Sequence, residues 1–213
     1  MLKTSTQNSK KSGSVIPSIE EDEEYQQAMQ NTRKCALNKA GLYGCYMTAQ
    51  SEYGERVCKL VSTGRGAYLW GEPGVGKTYA AAHAIRKAVE KNIGLSRQVA
   101  WLISSKKLLD IIRDGFNDSG SNEVLIRAEN MLLLALDDLG AERPTEWAIE
   151  TLSALIDTRT SSGLPTIFTS NYAIGELRDL WGGIAGARIA SRLGGACERI
   201  EVIGEDRRLE GVC

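Results

Sequence analysis

The chain has 213 residues, enough for one domain with a tail. A hydrophobic share of 42% against 25% charged residues supports a packed core and excludes wholesale disorder. A net charge of -1 excludes a globally basic nucleic-acid binder, so any such contact must be local. The five cysteines, Cys35, Cys45, Cys58, Cys197 and Cys213, have no C-x-x-C spacing, and His83 is the single histidine. That pattern does not read as a zinc site and fits free thiols in a reducing cytoplasm. The polar N-terminus lacks the apolar core of a secretion signal, and no apolar run approaches the length of a membrane span.

Residues 1 to about 18 are rich in Ser, Lys, Thr and Gly and predict disorder. Five acids follow, Glu20 to Glu24, a solvated charge run suited to a helix N-terminus. Residues 1–40 thus read as a disordered or weakly helical tail, with a weak helix over 25–38 broken at Gly41, and residues 41–213 as the folded domain. Ser51 caps a helix to Ser62 with Tyr53, Val57, Leu60 and Val61 on one face.

A short apolar strand, Gly66 to Trp70, then leads into Gly71-Glu72-Pro73-Gly74-Val75-Gly76-Lys77-Thr78, followed by a helix to Lys91 with Tyr79 in its first turn. The run fits G-x-x-x-x-G-K-[ST]. Its glycines let backbone N–H groups turn inward on phosphate oxygens, while Lys77 reaches the β- and γ-phosphates and Thr78 offers a hydroxyl to Mg²⁺. Strand, loop and helix in that order aim a helix N-terminus at an anion. His83, mid-helix among alanines, reads as a packing residue.

Residues 98–103 predict a strand, with Ser104 or Ser105 capping a helix over 106–116. A helix from Asn122 to about Asn130 follows. Met131 to Leu139 is a continuous apolar run ending in Asp137 and Asp138, the signature of a parallel strand buried on both faces with acids at its ligand-binding end. In this Walker B pattern Asp137 supports Mg²⁺ and Asp138 orients or deprotonates water. A helix from Thr145 to about Thr160 precedes a strand, 165–169, that ends in Ser170-Asn171; Asn171 there either contacts the γ-phosphate or serves the turn. A short helix over 174–180, a flexible joint at Gly182, Gly183 and Gly186, a helix over 187–193 carrying Arg188 and Arg192 on one face, and a last strand over 199–203 complete the chain. The five strands alternating with helices predict a parallel α/β sheet covered on both faces.

Phosphate loop, two-acid strand, Asn-ending strand and Arg-bearing helix stand in the order of an AAA+ ATPase. Residues 39–81, together with LLLALDDLGAE, TIFTSNY, RIASRL and GEDRR, resemble the bacterial replicative-helicase loaders of the DnaC type and the related IstB transposition ATPases over about residues 40 to 210. The resemblance implies a sheet of order 5-1-4-3-2 with little or no C-terminal lid. It implies slow hydrolysis of ATP with Mg²⁺, Asn171 as sensor 1, Arg192 as an arginine finger acting in trans within an oligomer, and Arg208, with Arg207 second, as a sensor-2-like contact. It also implies a replicative helicase and single-stranded DNA as partners, the latter with thin support from Lys106, Lys107, Arg113 and Phe116. Two alternatives stand beside it: an IstB-like transposition helper on duplex DNA, and a non-hydrolysing nucleotide-gated adaptor.

Overall fold

The alternation of apolar runs and amphipathic stretches resolves into five parallel strands with helices on both faces. The computed structural model describes residues 23–95, 97–115 and 120–207. The strands are β1 (Gly66–Trp70), β2 (Ala100–Ser104), β3 (Leu133–Leu139), β4 (Thr166–Ser170) and β5 (Cys197–Glu201), in the order β2-β3-β4-β1-β5. Read from the other edge this is 5-1-4-3-2, as the resemblance implies. The helices are α1 (Glu23–Lys39), α2 (Glu52–Ser62), α3 (Lys77–Lys91), α4 (Ser105–Asp114), α5 (Gly120–Asn130), α6 (Glu146–Ser161), α7 (Ile174–Trp181) and α8 (Gly183–Ala196). Among the described residues no helix is long and apolar enough to cross a membrane.

The period of two along each strand splits the core. Tyr68, Leu134, Leu136 and Phe168 face a layer built by α4 to α8. Ala67, Leu69, Ala135 and Ile167 face the opposite layer, where α3 contributes Ala80, Ala81, Ala82 and Ala84. Small residues on both sides of that contact bring the phosphate-loop helix close to the sheet. Leu37 is fully buried in the same layer and anchors α1 to it. Side-chain oxygens of Ser51, Ser104 and Thr145 accept from the backbone N–H groups of Gly54, Lys107 and Ala148, so these three caps lie where the sequence places them.

A buried arginine fixes the starts of the two central strands. Arg159 donates to the carbonyls of Ala128, Glu129, Met131 and Pro165 and to Thr166 Oγ1. Burial lowers its pKa to about 10, still well above neutrality, so it stays a cation.

Three expectations need correction. The glycines at 183 and 186 belong to α8, which therefore starts four residues before the expected helix. Gly186 is buried, and a Cβ there would stand 2.7 Å from the Arg178 carbonyl oxygen, so this glycine serves close packing. A 3-10 helix, Gly44–Thr48, precedes α2, and β5 begins at Cys197, two residues before the expected strand over 199–203. Cys35, Cys58 and Cys197 are free thiols, but Cys45 is disulfide-bonded, against the reading of five free cysteines. Phe116, Arg208, Cys213 and most of the acidic run, Glu20 to Asp22, lie outside the described residues.

Candidate functional site

Parallel strands with helices packed behind them converge at their C-terminal ends, where β1, β3 and β4 are neighbours. The loop 71–76 leaves β1 and enters α3 through Gly76, which caps the helix with φ of 99°, a left-handed conformation glycine adopts without a Cβ penalty. Lys77, 5% exposed, folds back over this loop and donates from Nζ to the carbonyls of Gly71 and Glu72, at 2.8 and 2.7 Å.

β3 ends in a bulge. Its pairing with β4 runs Leu136 to Phe168 and resumes at Leu139 with Ser170. Within this irregularity Asp138 takes φ of 55°, the one positive-φ residue other than glycine among the described residues. Such a backbone costs on the order of 1 kcal/mol and persists where the surroundings fix it. Here they do. Asp138 N–H donates to Thr169 Oγ1 (2.9 Å), its carbonyl accepts from Ser105 Oγ (3.1 Å), and the buried Glu142 carboxylate accepts from Gly140 N–H and Ser105 Oγ. The bulge thus separates two adjacent acids. Asp137 is buried within the strand layer, while Asp138 is exposed and opens into the cleft beside the loop.

Asp137 Oδ1 accepts from Thr78 Oγ1 (2.9 Å) and Thr169 Oγ1 (2.5 Å), which ties α3, β3 and β4 together at one atom. Burial raises its pKa to about 6. The two hydroxyls and Lys77 oppose this rise, and the Asp138 charge adds to it. A hard carboxylate oxygen bonded to a hydroxyl, held where its own charge is poorly solvated, suits a small divalent cation such as Mg²⁺.

A cleft of about 200 Å³ is lined by Pro73, Gly74, Gly76, Lys77, Thr78, Tyr79, Asp138, Asn171 and Arg207. A larger one of about 910 Å³ meets it at Thr78 and runs past Asp137, Tyr46, Gln98 and Trp101. Nearly all the sequence-derived candidates therefore share one place. Asn171 is exposed at the end of β4, on the same cleft as Asp138. The segment after β5 lies over the loop. Arg207 N–H donates to the Gly74 carbonyl (3.1 Å), and its guanidinium sits 5.2 Å from the centre of the Tyr79 ring. Arg207 is thus the described arginine at the loop; Arg208 lies outside the described residues.

Arg192 does not line either cleft. Its Nε is 2.8 Å from Asp157 Oδ1 on α6, and Arg188 Nη2 donates to Oδ2 of the same carboxylate at 3.0 Å. Arg192 remains 45% exposed. Arg113 is paired with Asp110 and Asp114. Two residues that shape the site were not singled out in the sequence. Thr169 stood beside Ser170 at the end of an apolar strand with nothing to mark it, and Glu142 gave no signal until the turn folded back.

No family model matches the chain. The replicative helicase loader DnaI of Bacillus subtilis (strain 168) is 29% identical over 154 residues, covering 68% of this chain and 48% of that protein. The replicative helicase loader DnaC of Escherichia coli (strain K12) is 27% identical over 114 residues, covering 53% of this chain and 44% of that protein. The chain spans about half the length of the curated relatives it matches. Among solved structures, that of DnaI superposes with a TM-score of 0.58 at 24% identity, over 85% of this chain and 86% of that one. AMPPCP-bound DnaA from Aquifex aeolicus gives 0.56 at 20% identity, over 71% and 44%. These likenesses establish the fold as that of an AAA+ P-loop domain.

Proposed function

We propose, for a chain with the AAA+ fold and a DnaC-like kinship in sequence to replicative helicase loaders, that it binds and slowly hydrolyses ATP as a replication factor, and that the bound nucleotide governs self-assembly and partner binding. The observation that carries this reading is the single oxygen of Asp137 joined to both Thr78 and Thr169, beside Lys77 and next to an outward-turned Asp138.

The phosphate chain of ATP takes the loop N–H groups from Gly71 to Thr78 and the α3 N-terminus, and Lys77 exchanges its two carbonyl partners for phosphate oxygens. Thr78 and Asp137 would hold Mg²⁺, which neutralises charge developing on the phosphates. Asp138 accepts a hydrogen bond from the attacking water and aligns it with the γ-phosphate. Asn171 fixes the same water or the γ-oxygens from the β4 side. Thr169 is a positioning residue. It orients Asp137 through its hydroxyl and the Asp138 backbone through its oxygen, so a nucleotide-dependent shift in β4 reaches both acids. Arg207, stacked near Tyr79, is available to the nucleotide; Arg208 keeps its proposed sensor-2-like role.

Arg192, held by Asp157 away from the cleft of its own chain, serves the site of a neighbouring copy. Turnover is then confined to the assembly. A cytoplasmic replicative helicase is the proposed partner, with single-stranded DNA as a second ligand; the basis is kinship with loaders, and the local support for DNA is thin.

The test uses two inactive variants. Lys77→Ala should lose nucleotide binding. Arg192→Ala should bind nucleotide normally but turn over about a thousandfold more slowly, the scale of a trans arginine. Mixed together they should regain activity, because some sites combine an intact loop with an intact arginine. Unchanged turnover in both Arg192→Ala and Asp138→Asn would reject hydrolysis by this site. Capture of a hexameric helicase with ATP and not with ADP supports the partner.

A further inference from the structure

The layer behind the phosphate loop contains a second constellation that the nucleotide reading does not use. α2 and α3 pack so closely that a Cβ on Gly54 would lie 2.5 Å from His83 Nδ1, so only glycine fits there. This contact seats His83, 2% exposed, between the helices. Glu55 and Cys58, three apart on one face of α2, are brought to the same point. One ligand atom from each of Glu55, Cys58 and His83 falls within 4.8 Å of the others.

The histidine is arranged as a ligand would be. Ser51 N–H donates to Nδ1 at 3.0 Å when the proton is on Nε2, and the Ser51 carbonyl oxygen, also at 3.0 Å, accepts from Nδ1 when the proton is there. In the tautomer with the proton on Nδ1, that N–H donates to the Ser51 carbonyl and leaves the Nε2 lone pair facing Glu55 and Cys58. A backbone carbonyl holding the far ring nitrogen is the usual way a protein orients a metal-bound imidazole. Nε2 itself is buried without a hydrogen-bond partner. It stands 3.3 Å from Glu55 Oε1, out of line for a hydrogen bond. A buried ring nitrogen left so is uncommon and costly unless something else satisfies it. Lys87 Nζ is 3.9 Å from Glu55 Oε1, too loose to claim the carboxylate.

We infer that Glu55, Cys58 and His83 form a binding site for a borderline-soft divalent cation, Zn²⁺ above all, that clamps α2 to the phosphate-loop helix. One nitrogen, one sulfur and one carboxylate oxygen are a ligand set for Zn²⁺ and for Co²⁺ in its place, and Mg²⁺ disfavours the thiolate. Three protein donors would leave a fourth position for water, and Glu55 is exposed. Cation binding releases the Cys58 thiol proton to solvent and contracts the three donors onto the metal. The site stands independently of the nucleotide proposal.

The test titrates Co²⁺ into the full, metal-stripped chain in Mg²⁺-containing buffer, without nucleotide. A thiolate-to-cobalt absorption band should saturate at one equivalent and disappear when Zn²⁺ displaces the cobalt. Cys58→Ser should abolish the band, and Glu55→Gln should weaken the titration while the chain stays folded by circular dichroism. Zn²⁺ should also slow alkylation of Cys58, followed by peptide mass, with no such effect from Mg²⁺. Absence of a thiolate band in the parent chain, or its persistence in Cys58→Ser, overturns the inference. Equal alkylation rates of Cys58 with and without Zn²⁺ do so as well.

Discussion

Replacing Asp137 by Asn should stabilise the metal-free chain at neutral pH while removing its response to Mg²⁺ and ATP. Burial holds the carboxyl at about 6, against an ordinary value of 3.8. The folded state therefore binds this proton more tightly than the unfolded state, and ionisation works against the fold. That difference corresponds to at most about 3 kcal/mol at pH 7 and above. Between the two pKa values the penalty fades as pH falls, to about half at pH 5 and to a small remainder near pH 4. Asn keeps an oxygen for the Thr78 and Thr169 hydroxyls and introduces no charge. In chelator-containing buffer without nucleotide, the melting temperature of Asp137→Asn should exceed the parent's by several degrees at pH 8. That margin should shrink steadily toward pH 4. With Mg²⁺ and ATP the order should reverse, since only the parent gains ligand stabilisation. A variant less stable than the parent at pH 8, or a margin that stays constant with pH, refutes the reasoning.

Thr169→Val removes the hydroxyl shared by Asp137 and the Asp138 N–H; turnover per bound nucleotide should fall at least about tenfold, with nucleotide affinity within a few-fold of the parent, by steady-state kinetics alongside equilibrium titration. Arg159→Ala strips a buried guanidinium from four carbonyls and a hydroxyl, and should cost about 3 to 5 kcal/mol in urea unfolding with no selective effect on nucleotide affinity. Gly54→Ala drives a methyl into His83; a loss of about 1 to 3 kcal/mol by thermal unfolding is expected, and a smaller loss if His83 moves aside. Asp157→Asn frees Arg188 and Arg192 from their shared carboxylate. It should leave nucleotide binding unchanged and alter turnover only at protein concentrations where the chain self-associates, checked by activity against concentration.

Four strands were legible because they are short and apolar, whereas β5 carries Glu198, Arg199 and Glu201 and begins two residues before the expected 199–203; Ser51, Ser104 and Thr145 marked helix starts where the structure places caps. The strand order was not in that pattern. Alternation says that the strands are parallel, and only the resemblance says that β4 lies between β1 and β3. The start of α8 was misread because Gly182, Gly183 and Gly186 look like a breaker. Gly182 does break the chain, as the cap between α7 and α8, but Gly186 lies within α8 and buries against the backbone at Arg178 where any larger residue would collide. Local propensity yields there to a tertiary contact that no window of sequence contains.

The site shows the same division more sharply. Lys77, Thr78, Asp137 and Asp138 announce themselves by spacing, because a phosphate loop and a two-acid strand each need fixed neighbours. What decides how the two acids act is a bulge, and a bulge is written in the pairing of two strands distant in sequence. Without it the side chains of residues 137 and 138 would simply alternate between the two faces of the sheet. With it, Asp137 remains on the inner hydroxyls while Asp138 turns left-handed and opens toward the cleft. Thr169 and Glu142 hold that turn from β4 and from the following loop, so the pair of acids is set by residues whose own spacing carries no motif. The Glu55, Cys58 and His83 group extends the argument. Cysteine spacing spoke against a metal, yet the closeness permitted by one glycine puts three donors within reach of a single ion.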